Sequence, residues 1–116
     1  MTHLRAVDET SGRVIAERVR RAATHWTRLR GLLGTRTLLE GDGLWITPCR
    51  QVHTVGMRYA IDVVFLDAAQ RVVETARALA PGRVSPRVVA ATSVLELPAG
   101  TVDRTGLLVG STLDIV

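Results

Sequence analysis

The fold is decided by the segment Leu44–Glu74, which reads LWITPCRQVHTVGMRYAIDVVFLDAAQRVVE. The part over Ile61–Leu66 ends in four consecutive apolar residues, a run typical of a strand that is covered on both faces. Asp67 commonly starts a turn, and the two alanines and the glutamine after it fit a short connection into a second strand over 71–76. The segment therefore predicts a buried strand followed by a hairpin.

Shorter elements are expected on both sides of this hairpin. Apolar residues at helical spacing, together with Thr24 as N-cap and Gly34 as C-cap, predict a helix over His25–Leu33. Pro98 can open a helical turn over 99–105. Further strands are expected at Arg13–Val19, Leu44–Ile46, Val88–Ala91, Val94–Leu97 and Leu113–Val116, with turns at Gly41-Asp42-Gly43 and Pro81-Gly82.

Short strands separated by turns every eight to twelve residues or so are typical of β-sandwiches and barrels. The sequence thus predicts a mainly β, β-rich α+β fold, a small sandwich or barrel-like domain with one or two short helices. A chain of 116 residues, of which 47% are hydrophobic and 22% charged, is expected to form a single domain over residues 1–116.

Composition also excludes several classes of function. The chain has one cysteine, so it forms no intrachain disulfide, and no apolar run approaches the roughly 20 residues of a membrane helix. The first residues lack the apolar core of a signal peptide. We therefore expect a soluble cytoplasmic protein without a membrane partner.

All fifteen basic residues are arginine, and the formal net charge is +4. Uniform use of arginine suggests a coding bias, and only four aromatic residues are available for stacking on bases. We interpret the basic excess as a solvated face, and we expect no specific nucleic acid partner.

Several motifs carry a resemblance to a known family. Cys49-x3-His53-Thr54-x-Gly56-Met57-Arg58, then Ile61–Asp67, and later Val94-Leu95-Glu96-Leu97-Pro98-Ala99-Gly100 resemble the family named "domain of unknown function 192". The resemblance covers about residues 25–116 and implies a small β-sandwich domain, while the family name records no activity. The chain departs from the family pattern at Val55, where an aromatic residue is common, at Ala60, where proline is common, and at Ser111, where an acidic residue is common.

The same region concentrates the chemically distinctive side chains. We expect one cleft, beside residues 49–62, to bind a small ligand. An anionic ligand would suit Arg58, whose guanidinium can hold a carboxylate or phosphate through two hydrogen bonds. The cleft residues predicted from the sequence are Cys49, His53, Thr54, Met57, Arg58 and Asp62.

Simpler interpretations compete with each of these roles. Asp62 can pair with Arg58, and Glu96, which alternates with leucines, is expected to face away from the core. Cys49 and His53 would lie about 13 Å apart in an extended strand, too far for a nucleophile and its base. The same spacing separates Cys49, His53 and Met57 too widely to hold one metal ion, so no metal site and no cofactor are predicted.

The sequence therefore predicts a ligand-binding module and identifies neither a catalytic residue nor a protein partner. One alternative is a hydrolase-like enzyme that uses His53 with Cys49 or Asp62. Another alternative is a protein–protein adaptor that uses an exposed strand edge.

Overall fold

The computed structural model describes residues 3–22 and 38–116, which form seven strands and one helix. The helix α1 spans Thr101–Thr105, and no helix among these residues has the length and apolar character needed to cross a membrane. The helix predicted over His25–Leu33 lies outside the described residues. The strands are β1 (Leu4–Asp8), β2 (Val14–Ala22), β3 (Asp42–Ile46), β4 (Ile61–Leu66), β5 (Val72–Leu79), β6 (Ser93–Pro98) and β7 (Leu113–Ile115).

The seven strands form one sheet with the order β5-β4-β6-β3-β2-β1-β7. Neighbours run antiparallel except β2 and β3, which are parallel. The two edges of the sheet meet at one end, where the Val72 amide donates to the Ser111 carbonyl at 2.7 Å and the Leu113 amide donates to the Gln70 carbonyl at 2.9 Å. The sheet therefore curls into a half-barrel, which confirms the predicted mainly β, barrel-like fold.

Each face of the curled sheet carries its own apolar cluster. The concave cluster draws on both edge strands and includes Val64 and Leu66 of β4. The convex cluster includes Val63 and Phe65 of the same strand. Successive residues of a strand point to opposite faces, so a strand covered on both faces needs apolar residues at consecutive positions. All six residues of Ile61–Leu66 are buried, and the predicted buried strand is confirmed.

Two loops, residues 47–60 and 80–92, cover the convex cluster, and we call them the loop layer. They are joined to each other by backbone hydrogen bonds, such as that from the Ser85 amide to the Val52 carbonyl at 2.9 Å. The layer is thus part of the packed structure. Its buried apolar members in the convex cluster are Val52, Met57, Val88 and Ala91.

One predicted strand is wrong, and one predicted turn, which the structure has at Gly41, does not extend over its last two residues. Residues 88–91 form a turn in the loop layer, with the Ala91 amide donating to the Val88 carbonyl at 3.1 Å, and they are not a strand. Asp42 and Gly43, predicted in a turn, begin β3, because they pair with residues 18 and 19 of the parallel strand β2. Turn-forming residue types therefore lie inside a strand where a parallel neighbour supplies the hydrogen bonds.

The strand β1 has no counterpart among the predicted elements. It is five residues long and lies between β2, its antiparallel neighbour, and β7, which comes from the far end of the chain. Such a short strand is defined by these distant partners more than by its own sequence. The predicted helical turn over 99–105 and the strand that begins at Leu113 are confirmed by α1 and β7.

Replacing the Phe65 side chain should show how strongly the convex cluster stabilises the fold. Phe65 is 0% exposed, so Phe65→Ala leaves a cavity and should lower the unfolding free energy by about 3–5 kcal/mol. Chemical denaturation measures this loss. Leu39→Ala, at a side chain that is 59% exposed, is the control and should change stability by less than about 0.5 kcal/mol. A loss below about 1 kcal/mol for Phe65→Ala would contradict its place in the core.

Candidate functional site

The loop layer contains five of the six residues predicted to form the cleft. Cys49 is half-buried, and its thiol donates to the Gln51 carbonyl with an S···O distance of 3.2 Å. Met57 is buried in the convex cluster and packs there as an apolar side chain. These two side chains therefore support the layer from within.

Thr54 is completely buried and holds the two loops of the layer together. Its hydroxyl donates to the Ala80 carbonyl at 2.5 Å and accepts from the Arg83 amide at 2.9 Å. Its own amide donates to the Arg83 carbonyl at 2.8 Å, and its carbonyl accepts from the Gly82 amide at 3.0 Å. Thr54 thus fixes the backbone of the residues on either side of it. Its hydroxyl already donates one hydrogen bond and accepts another within the layer.

A tight turn follows Thr54 and brings exposed side chains to the surface of the layer. The Met57 amide donates to the Thr54 carbonyl at 3.1 Å, and Gly56 adopts a φ of 86°, which suits the third position of a type II turn. Val55 at the second position is 56% exposed. Arg58, just after the turn, is exposed and forms no ion pair with any residue of 3–22 or 38–116.

A groove opens at His53, which is half-buried and whose backbone pairs with that of Val84. The groove has a volume of 450 Å³, within the range of small-molecule sites. Valine side chains dominate it, and the imidazole supplies a polar group at its side. The residues that line it are Gln51, Val52, His53, Val55 and Val84.

The structure does not bring Asp62 into this site. Asp62 lies between the convex residues Ile61 and Val63, so it points to the concave face, and it is 0% exposed. One carboxylate oxygen accepts from the Ala78 amide at 2.8 Å, and the other accepts from the Val102 amide at 2.9 Å. The expected pairing with Arg58 is wrong, because backbone amides occupy both oxygens. A dyad of His53 with Asp62 is likewise not formed.

Glu96 is a buried acid that the sequence interpretation misplaces. It is 0% exposed and lies between Leu44 of β3 and Val63 of β4, on the convex face. Because Glu96 alternates with Leu95 and Leu97, its side chain points to the opposite face of the sheet from theirs. That face is also covered, here by the convex cluster. The continuous apolar run of β4 is the signal that could have located Glu96, since a strand beside a doubly covered strand is itself covered on both faces.

Tyr59 and Arg20 share the electrostatic surroundings of Glu96. Burial raises the pKa of the Tyr59 phenol above its usual range, the Glu96 carboxylate raises it further, and Arg20 opposes both effects. Arg20 pairs with Leu44 across the parallel strands, on the same face as Glu96. The Tyr59 hydroxyl is buried and has no hydrogen-bond partner among the described residues. The Glu96 carboxylate and the Tyr59 hydroxyl are therefore buried polar groups within the otherwise apolar convex face.

Across residues 3–22 and 38–116, no three His, Cys, Asp or Glu side chains come close enough together to hold one ion. Cys49 and Met57 are directed into the packing of the layer, while His53 borders the groove.

Comparison with known proteins gives a family and a fold. A family model described as "Uncharacterized ACR", DUF192, matches residues 6–115, which confirms the resemblance seen in the motifs. A UPF0127 protein from Thermococcus sibiricus is 31% identical over 113 residues, which are 93% of this chain and 72% of that protein.

Two crystal structures have the same fold. One, from Sinorhizobium meliloti, is titled a "putative transcription regulator" and aligns with a TM-score of 0.80, at 23% identity, over 97% of this chain and 91% of the other. The second, a protein of unknown function from Novosphingobium aromaticivorans, has a TM-score of 0.80 at 22% identity and covers 96% of this chain and 82% of its own. At these identities the likeness concerns the fold alone.

Asp62→Asn should reveal the structural role of the buried carboxylate. The amide side chain keeps one acceptor oxygen, so one buried backbone amide loses its partner, at a cost of about 1–3 kcal/mol. Urea denaturation measures the change. Asp67→Asn is the matched control: one Asp67 oxygen accepts from the Ala69 and Arg71 amides, each at 2.9 Å, and asparagine keeps that oxygen in an accessible turn. Equal losses for the two variants would contradict this role for Asp62.

Tyr59 is the only tyrosine, so absorbance of tyrosinate during an alkaline titration reports this residue alone. We expect a pKa above the usual value of about 10. The unfolded chain then loses its proton first, so this residue's contribution to stability is complete below pH 10 or so and is lost as pH rises through the folded pKa. Glu96→Gln should lower the Tyr59 pKa, and Arg20→Gln should raise it. Identical titrations in the three proteins would contradict the arrangement.

Proposed function

This chain belongs to the uncharacterised DUF192 family, and we propose that it binds a small ligand with an apolar body and an anionic group in the groove at His53. The observation that carries the proposal is the groove itself, a 450 Å³ concavity walled by valines with one imidazole at its side. Ligand sites are typically concave and mostly apolar, with a few polar groups that set the orientation.

The apolar part of the ligand is inferred from Val55 and Val84. They are 56% and 61% exposed, and both line the groove, so a bound apolar group would remove their surface from water. The resemblance to the family leads us to expect an aromatic residue at this position, and the smaller Val55 side chain leaves room at this wall. The groove therefore suits a compact ring or a short branched chain.

The anionic part of the ligand is inferred from Arg58. This side chain is exposed just beyond the turn that presents Val55, and no described residue forms an ion pair with it. A free guanidinium can hold a carboxylate or phosphate through two parallel hydrogen bonds. The His53 imidazole lines the same groove and adds a polar surface there.

The two alternative functions have less support. A hydrolase needs a base next to a nucleophile, and the described contact of the Cys49 thiol is a hydrogen bond to the Gln51 carbonyl. An adaptor that adds a strand to β5 would meet the exposed charges of Glu74 and Arg77, and such charges on an edge strand discourage pairing. We therefore favour ligand binding over both.

Anilinonaphthalene sulfonate, a fluorescent probe with an apolar body and an anionic group, tests the proposal. We expect it to bind the native protein, and Val84→Asn should weaken binding about three- to tenfold because part of the apolar contact is lost. Val89→Asn is the matched control, since Val89 is 77% exposed and lies outside the groove. Arg58→Lys should also weaken binding while leaving the unfolding free energy unchanged within about 0.5 kcal/mol.

Two results would contradict the proposal. The first is equal probe binding by the Val84→Asn and Val89→Asn proteins, which would place the probe elsewhere. The second is a fall in stability for Arg58→Lys with no change in binding, which would make Arg58 a structural residue.

A further inference from the structure

We propose that the outer surface of the loop layer docks on the surface of a lipid bilayer that contains anionic phospholipids. This peripheral association replaces the expectation of no membrane partner, which was drawn from the lack of an apolar run long enough to span a bilayer. The inference concerns the whole layer and does not rest on the ligand of the His53 groove. Residues 47–60 and 80–92 contain four arginines and neither aspartate nor glutamate.

The four arginines are all exposed: Arg50, Arg58, Arg83 and Arg87. None forms an ion pair within the described part of the chain, whereas Arg18, Arg77 and Arg104 elsewhere pair with Asp42, Asp103 and Glu40. The layer therefore presents positive charge that is not neutralised by neighbouring acids. A surface of this kind attracts an anionic partner over a Debye length, about 8 Å at physiological salt.

Exposed apolar side chains are interspersed with these arginines. Val55, Val84 and Val89 are 56%, 61% and 77% exposed. Single exposed valines are normal on a protein surface, but three on one layer beside four exposed arginines form an amphipathic surface. The Arg50 side chain donates to the Val89 backbone carbonyl at 3.3 Å, so this guanidinium lies beside the backbone that carries an exposed valine.

The layer is held rigidly enough to present this surface without a folding step. Hydrogen bonds of Thr54 and Ser85 cross between its two loops, and the Gln51 side chain donates to the Ser85 carbonyl at 3.0 Å. Its inner side is buried in the convex cluster. Association therefore requires little ordering of the backbone, which lowers the entropic cost of docking.

The chemistry of the surface distinguishes between polyanions. Duplex DNA or RNA would use the arginines but would leave the valines in water, and the layer's aromatic residue, Tyr59, has its hydroxyl buried beneath the layer. A bilayer interface uses both groups, because valines enter the boundary between headgroups and acyl chains while arginines remain among the phosphates. Three small side chains insert only shallowly, so we expect weak, reversible association that depends on salt.

Sedimentation with vesicles tests the proposal on the whole chain. Vesicles of phosphatidylcholine alone are compared with vesicles of equal parts phosphatidylcholine and phosphatidylglycerol. We expect binding to the anionic vesicles only, decreasing as salt is raised. Arg87→Gln should weaken this binding about fivefold, the effect of one basic residue near an anionic surface. Arg71→Gln, at an exposed arginine outside the layer, is the matched control and should leave binding unchanged.

Val89→Asn examines the apolar contribution. It should weaken vesicle binding at every salt concentration, whereas Val116→Asn, at a side chain that is 69% exposed outside the layer, should have no effect. Val89 does not line the His53 groove, so this variant keeps its affinity for anilinonaphthalene sulfonate. Failure of bilayer docking and failure of the proposed ligand function are therefore distinguishable.

Three outcomes would overturn the inference. Equal binding to both kinds of vesicle would remove the role of charge, and equal losses for Arg87→Gln and Arg71→Gln would remove the role of the layer. Tighter binding to duplex DNA than to anionic vesicles, unaffected by Val89→Asn, would assign the surface to nucleic acid.

Discussion

The buried carboxylate of Asp62 is the interaction on which the rest of the structure depends. Ile61 pairs with Leu79 while Val63 pairs with Ala76, so β5 carries one extra residue opposite Asp62. Such a bulge leaves a backbone amide outside the ladder, and here the Ala78 amide, at a φ of 51°, donates to one oxygen of Asp62. The other oxygen accepts from the Val102 amide in the first turn of α1, where helix amides lack partners. One side chain thus joins two strands and the helix whose Val102 packs in the concave cluster.

Coverage of both sheet faces explains where function can reside. The concave face is filled by its own cluster, and closure of the sheet edges leaves it enclosed at one end. The convex face is covered by loops, whose outer side is free to vary in shape and charge. The predicted cleft residues follow this division. Asp62 lies in the concave half as a structural acceptor, whereas His53 lines the groove of the loop layer and Arg58 is exposed on that layer.

Sequence was sufficient for elements whose signal is local. The apolar run of β4, the turn that begins at Asp67 and the helical turn after Pro98 each appear where the residue types require them. It was insufficient where the partner is distant. The amides that Asp62 accepts from lie 16 and 40 residues away, and no spacing rule links a carboxylate to a backbone amide. Glu96 was misplaced for a related reason, because the cover over the convex face comes from loops that have no periodic pattern.

In the loop layer, buried polar groups fix the backbone of the two loops, and exposed side chains lie at the outer surface. Thr54 is completely buried and holds both loops, so its neighbours His53 and Val55 are presented in a fixed geometry. A preformed groove loses little conformational entropy on binding, and a weak set of contacts can then give measurable affinity. The arginines of the layer are exposed and form no ion pair with any residue of 3–22 or 38–116. Because the layer contains no acid, an approaching anion meets attraction from every side chain charge within it.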